Sequence, residues 1–122
     1  VKLSELAIGI GPFVVGPAVE RKVGLSAFQT LAIDATKWFS AKWALDYGLY
    51  AELHETVEAL DADVERLSSQ LAKSSPAAMA QLKKAAWSGT EHWETLLPAR
   101  AAISGELVLS DFTKRAIQAF KS

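Results

Sequence analysis

The most informative part of the chain is residues 4–24, SELAIGIGPFVVGPAVERKVG, which places Glu5 ahead of two glycine–proline pairs. Apolar and small residues alternate over residues 5–10, a pattern that predicts a short strand. Pro17 suits the first turn of a helix, and Gly24 suits the position just past its end. The stretch therefore predicts an acid beside a strand, then a tight turn, then a short bounded helix.

Outside that stretch, helix signals dominate. Apolar residues recur three and four positions apart, as on one face of a helix, most regularly from Val57 to Leu71. A brief strand is predicted over 49–53, and Pro98 is expected to kink or restart a helix over 91–103. We therefore predict a mainly α chain with at most one or two short strands. Helix starts are predicted at Ser26, Ser40, Ser75 and Ser110, and helix ends at Gly48 and Gly89.

Residues 4–24 resemble the second catalytic segment of the crotonase (enoyl-CoA hydratase/isomerase) family. That segment reads x-Glu-apolar-x-apolar-Gly-x-x-Pro and continues into a helix ending in Arg-x-apolar-Gly. Glu5 matches the family's acid/base glutamate. The resemblance extends over almost the whole chain, because the segments 39–49, 59–78 and 110–121 also resemble the family sequence. Because this segment lies mid-chain in the family, and the sequence begins with Val, we expect a C-terminal half.

The resemblance implies a fold and an assembly. It predicts the C-terminal helical, trimer-forming part of a crotonase-like α/β fold. Residues 1–53 would be the end of the catalytic core, and residues 54–122 a helical oligomerisation region. The expected assembly is a homotrimer or a dimer of trimers.

The implied activity is that of an enoyl-CoA hydratase, a lyase of the methylglutaconyl-CoA hydratase type in fatty acid or branched-chain amino acid catabolism. The substrate would be an acyl-CoA, so coenzyme A is part of the substrate and no separate cofactor is expected. In the family, the first glutamate and the oxyanion donors lie in N-terminal segments that this chain does not contain. We expect the chain alone to be inactive. A family isomerase or thioester hydrolase, and a free-standing helical interaction module, are the alternatives.

The resemblance also assigns site residues. Glu5 is the catalytic candidate. The sequence without the family resemblance would instead indicate a solvated acid that has no catalytic role. Pro12 and Phe13 are substrate-binding candidates, and Phe13 stands where family hydratases commonly have Gly, so its ring could restrict the acyl pocket. Phe120 and Lys121 match residues that hold the adenine end of coenzyme A. Their alternative roles, which we favour for this chain, are core packing and a solvated tail.

Composition excludes several classes of function. A net charge of -1 and a pI near 6.1 leave no basic face for nucleic acid. The apolar run over 6–19 is interrupted by Gly and Pro and is shorter than a membrane span, so neither a membrane nor a targeting role is expected. The absence of cysteine is compatible with the cytoplasm. His54 and His92 lack the spacing of metal ligands, so no metal site is predicted.

Overall fold

The computed structural model describes residues 1–119, which form α helices and one 3₁₀ helix, with no strand anywhere in that range. The described residues form two compact units, one of residues 1–51 together with 94–119 and one of residues 52–93. The predicted functional division after residue 53 stays a prediction. The helices are the 3₁₀ helix Glu5–Ile8, α1 Gly16–Ile33, α2 Ala41–Asp46, α3 Val57–Ala72, α4 Pro76–Ala86, α5 Trp93–Val108 and α6 Asp111–Ala119.

The first unit has a small core formed mainly by α1 and the residues that follow it. Leu31 is only 2% exposed, and it lies one helical turn beyond Ala27, which is also buried. Phe39 and Ala44 are buried as well, and Ala44 lies on α2. Burial of this apolar surface is the main source of stability in the unit.

α1 consists of two helical segments joined at Gly24. Pro17 lies in its first turn, as predicted. Gly24 has φ 79° and ψ 161°, which is not a helical conformation. Glycine adopts such a positive φ more readily than any other residue. The predicted helix end at Gly24 is therefore confirmed, with a second helical segment following directly.

The predicted strand over residues 5–10 is wrong. Glu5–Ile8 forms a 3₁₀ helix, and Gly9, with φ 82°, ends it in the left-handed region. The turn contacts both α1 and α6. A Cβ atom at Gly9 would lie 2.5 Å from the Phe112 ring and 2.7 Å from Thr113 Oγ1, so α6 approaches too closely for any other residue. The segment therefore packs as a turn against α6 and makes no strand pair, and Leu6 stays 50% exposed.

The predicted strand over 49–53 is also wrong. Gly48, with φ 74°, turns the chain at the end of α2. The N–H groups of Leu49 and Tyr50 then donate to the Ala44 carbonyl at 2.8 and 3.1 Å. These donors close the end of α2 and are not available for a strand ladder. The predicted start of α2 is confirmed, because the Trp43 N–H donates to Ser40 Oγ at 3.0 Å.

In the second unit, α3 and α4 have capped N-termini. Thr56 Oγ1 accepts from the Ala59 N–H at 3.1 Å, and Ser75 Oγ accepts from the Ala78 N–H at 3.3 Å. Gly89, with φ 83°, follows the end of α4. Neither helix has a buried residue, so the apolar stripe of α3 is exposed. We define the α3 stripe as Val57, Leu60, Val64, Leu67 and Leu71, whose exposed fractions run from 45 to 67%.

α5 and α6 complete the described chain. α5 passes through Pro98 and extends to Val108, beyond the predicted end at residue 103. The predicted start of α6 is confirmed, since the Thr113 N–H donates to Ser110 Oγ at 3.2 Å. None of the helices within residues 1–119 combines the length and apolar character that crossing a membrane requires.

Candidate active site

Glu5, the predicted catalytic residue, is the first residue of the 3₁₀ helix and is half-buried. Its Oε2 atom is buried and accepts no hydrogen bond from the residues that the structure describes. A buried carboxylate oxygen without a partner is destabilising, and in native proteins such an atom calls for a functional explanation. One oxygen of Glu5 is thus shielded from solvent, and the catalytic role of the residue stays a prediction.

Backbone hydrogen bonds fix the turn that contains Glu5. The Ile10 N–H donates to the Glu5 carbonyl at 3.0 Å, and the Ala7 N–H donates to the Ser4 carbonyl at 3.1 Å. Gly9 lies directly against Thr113, which is fully buried. The turn that carries Glu5 thus packs closely against α6.

Pro12 and Phe13, the predicted substrate-binding residues, lie together on one cleft of about 330 Å³. Phe28 and Ala32 of α1 form one wall, and Arg100 and Ile103 of α5 another. This volume lies within the range of small-molecule sites. The structure thus brings the two predicted residues together with four that were not predicted, and the binding role of Pro12 and Phe13 stays a prediction.

The backbone N–H and carbonyl groups of Phe13 both make hydrogen bonds, and the carbonyl bonds to Arg100. Its N–H donates to the Gly11 carbonyl at 2.7 Å, and its ring lies over Gly11, where a Cβ atom would be 2.5 Å from Phe13 Cζ. Its carbonyl accepts a long hydrogen bond of 3.4 Å from Arg100 Nη1. The Gly16 N–H donates to the Pro12 carbonyl at 2.8 Å, which closes the loop onto α1.

A second cavity of about 400 Å³ lies beside the 3₁₀ helix. Ser4, Ala7 and Ile8 line it from the segment around Glu5, while Ala35 lines it from the turn after α1 and Ile117 from α6. Glu5 itself lines neither this cavity nor the cleft at Pro12 and Phe13. Phe120 and Lys121, the predicted adenine-binding residues, lie outside the described residues, so their role stays a prediction.

The second unit contains one group of metal-ligating side chains. One donor atom each from Glu52, His54 and Asp63 lie within 4.8 Å of one another. His54 Nε2 is 3.8 Å from Glu52 Oε2 and 4.0 Å from Asp63 Oδ2. Arg66 Nε already binds Asp63 Oδ1 at 2.6 Å, and this hydrogen bond lowers the pKa of Asp63. Glu52 is exposed, and Arg66 opposes a second cation, so the group alone does not define a metal site.

Comparison with known proteins gives the fold. No family model and no curated protein matches the sequence. The structure matches that of the enoyl-CoA hydratase/isomerase from Pseudoalteromonas atlantica T6c with a TM-score of 0.86 and 21% sequence identity. The match covers 98% of this chain and 48% of that one, so the chain spans about half the length of the enzyme that it resembles. The fold is thus the helical C-terminal part of a crotonase-like fold, which confirms the predicted fold class.

Proposed function

We propose that this chain is the C-terminal part of an enoyl-CoA hydratase in which Glu5 acts as an acid/base residue. The observation that carries the proposal is the Oε2 atom of Glu5, which is buried on a turn packed against α6 and has no hydrogen-bond partner among residues 1–119. The shared fold supports it, because the chain aligns with about half of an enoyl-CoA hydratase/isomerase. The finer proposal is a hydratase of the methylglutaconyl-CoA hydratase type, acting in the cytoplasm as a homotrimer or dimer of trimers.

Hydration of an enoyl thioester needs two proton transfers. Water attacks the β-carbon and loses a proton, while the α-carbon gains one, and one or two carboxyl groups carry both transfers. Negative charge collects on the thioester oxygen, so backbone N–H donors must point at that atom. Glu5 is assigned one of the proton transfers. The oxyanion donors are assigned to the other half of the enzyme, so the chain alone should not turn over substrate.

The test is Glu5→Gln in the full-length protein, with hydration followed by the loss of the conjugated thioester absorbance. Gln keeps the shape of the side chain but exchanges no proton. We expect kcat to fall about a hundredfold or more with little change in KM. Glu106→Gln, which removes an exposed acid from α5, is the matched control and should keep the wild-type rate. A wild-type rate in Glu5→Gln would remove Glu5 from the mechanism.

Two related reactions are alternatives, since the same fold and glutamate could serve an isomerase or a thioester hydrolase. The products distinguish them. A hydratase incorporates solvent oxygen at the β-carbon, an isomerase moves the double bond without incorporation, and a hydrolase releases a free thiol. Absence of all three products from the full-length protein would favour a helical interaction module.

A further inference from the structure

The cavity of about 400 Å³ beside the 3₁₀ helix is separate from the proposed acid/base group, since Glu5 does not line it. Most of its lining is hydrocarbon, contributed by Ala7, Ile8, Ala35 and Ile117. Ile117 is 36% exposed, so apolar surface of α6 remains uncovered at this place in the first unit. The volume is that of a small-molecule site, and the apolar lining favours a ligand with a hydrocarbon chain.

The remaining lining residues of this cavity are polar, and none of them is an acid. They are Lys2, Ser4 and Thr36. Lys2 is half-buried, and its Nζ atom lies 5.1 Å from the centroid of the Trp38 ring. This cation–π contact attracts the ammonium group without neutralising its charge. An ammonium group carries three N–H donors, so Lys2 can still bind an anion.

No acid forms an ion pair with Lys2 within residues 1–119, where the ion pairs join other side chains. Two acids are sequence neighbours of lining residues. Asp34 pairs with Lys37 at 4.0 Å, and the buried Oε2 atom of Glu5 has no hydrogen-bond partner in the described part of the chain. The cavity therefore combines hydrocarbon walls with two hydroxyl groups and one uncompensated positive charge.

We infer that this cavity binds a free medium-chain carboxylate, a fatty acid that is a ligand distinct from the thioester substrate. The ammonium group of Lys2 binds the carboxylate, and the hydroxyl groups of Ser4 and Thr36 supply further donors. The hydrocarbon chain covers Ile8 and Ile117, which removes apolar surface from water. Inorganic phosphate would satisfy the charge of Lys2 but would leave that surface uncovered. The inference does not depend on the proposed hydratase activity.

The test measures binding to the full-length protein by calorimetry at neutral pH, with three probes. Octanoate has both the charge and the hydrocarbon chain, octan-1-ol has the chain alone, and inorganic phosphate has the charge alone. Octanoate should bind at least about fivefold more tightly than octan-1-ol, because it adds an ion pair to the same apolar contact. It should bind at least about tenfold more tightly than phosphate, which buries no methylene groups.

Three variants locate the binding. Lys2→Met removes the charge and keeps a long side chain, so it should weaken octanoate binding at least about fivefold and leave octan-1-ol binding within about twofold. Lys22→Met, which removes an exposed lysine from α1, is the matched control and should keep the wild-type affinities. Ala7→Leu narrows the cavity and should weaken octanoate and octan-1-ol alike, by at least about threefold.

The proposal is overturned if wild-type protein binds octanoate no more tightly than octan-1-ol, a result that requires no variant. It is also overturned if Lys2→Met leaves octanoate binding unchanged, which would assign the binding to another apolar surface such as the α3 stripe. Displacement of octanoate by butanoyl-CoA would make the cavity part of the thioester site and would contradict a separate ligand. A protein that binds octanoate as expected but hydrates no enoyl thioester would contradict the proposed function alone.

Discussion

α1 and α3 carry apolar residues at the same helical spacing but use them differently. In α1, Ala27 and Leu31 are at most 3% exposed and belong to the core of the first unit. In α3, every residue of the α3 stripe is at least 45% exposed. Apolar periodicity thus identifies the face of a helix that packs, but it does not identify the partner of that face.

The two units consequently depend on different interactions. The first is stabilised by tertiary burial, to which Leu31 contributes. In the second, the hydrogen bonds seen on α3 and α4 are local, namely the caps at Thr56 and Ser75 and the pair between Asp63 and Arg66, while His54 approaches Asp63 from outside the helix at 4.0 Å. Short helices are marginal without tertiary packing, so an exposed stripe of this kind is typical of a protein interface.

The largest effect expected from this difference concerns two leucines. Leu31→Ala should destabilise the first unit by about 3 kcal/mol, because it opens a cavity in a packed core. Leu67→Ala should cost less than about 1 kcal/mol in dilute protein, because that side chain is half exposed. Urea denaturation followed by circular dichroism at low concentration measures both. Equal losses would show that α3 is packed in solution as tightly as α1.

The next effect concerns association. The chain should self-associate through the α3 stripe, and Leu67→Glu should raise the dissociation constant at least about tenfold, since it places a charge in an apolar contact. Ala62→Glu, on the opposite face of α3, is the matched control. Sedimentation over a range of concentrations measures the change. A chain that stays monomeric at every concentration would rule out the α3 stripe as a contact between copies.

Local signals were sufficient to predict most helix boundaries. Ser40, Ser75 and Ser110 each accept a hydrogen bond from the N–H three residues later, which depends on neighbours in sequence alone. Gly24 likewise ends a helical segment through its own positive φ. These interactions require no knowledge of the tertiary fold, so the sequence contains the information.

The two wrong strand predictions failed because a strand needs a partner. Residues 5–8 form a 3₁₀ helix that contacts α1 and α6 and has no strand beside it within residues 1–119. Residues 49 and 50 direct their N–H groups to the end of α2. Both outcomes depend on contacts that short apolar runs do not reveal.

The candidate site was predictable only in part. Glu5, Pro12 and Phe13 were identified from one continuous stretch that resembles a catalytic segment. Arg100 was missed because it reaches Phe13 across 87 residues of sequence, and nothing in its local pattern marks that contact. A scattered arginine is normally a solvated one, so the tertiary structure was needed to single it out.

Removing a helix cap should cause a smaller loss of stability. This loss tests whether the two units unfold separately. Ser75→Ala should cost about 1 kcal/mol of α4 stability. Because α4 has no buried residue, the loss should appear as faster amide exchange in α4 and leave α1 unchanged. Ser68→Ala, on the exposed surface of α3, should show no such loss. Faster exchange in α1 after Ser75→Ala would indicate that the two units unfold as one.

The smallest effect concerns pH and the pair between Asp63 and Arg66. The hydrogen bond from Arg66 lowers the pKa of Asp63, so the pair stabilises the folded chain above the pKa of an unfolded aspartate, about 3.9, and is lost as pH falls through the lower folded value. Arg66 stays charged over this range. Since both side chains are partly exposed, the contribution should be smaller than that of a cap. The melting temperature of the wild type should exceed that of Asp63→Asn at about pH 5, and the difference should disappear by about pH 2. A difference that persisted at the acid end would mean that the substituted amide disturbs α3 through its shape and that the charge of Asp63 contributes nothing.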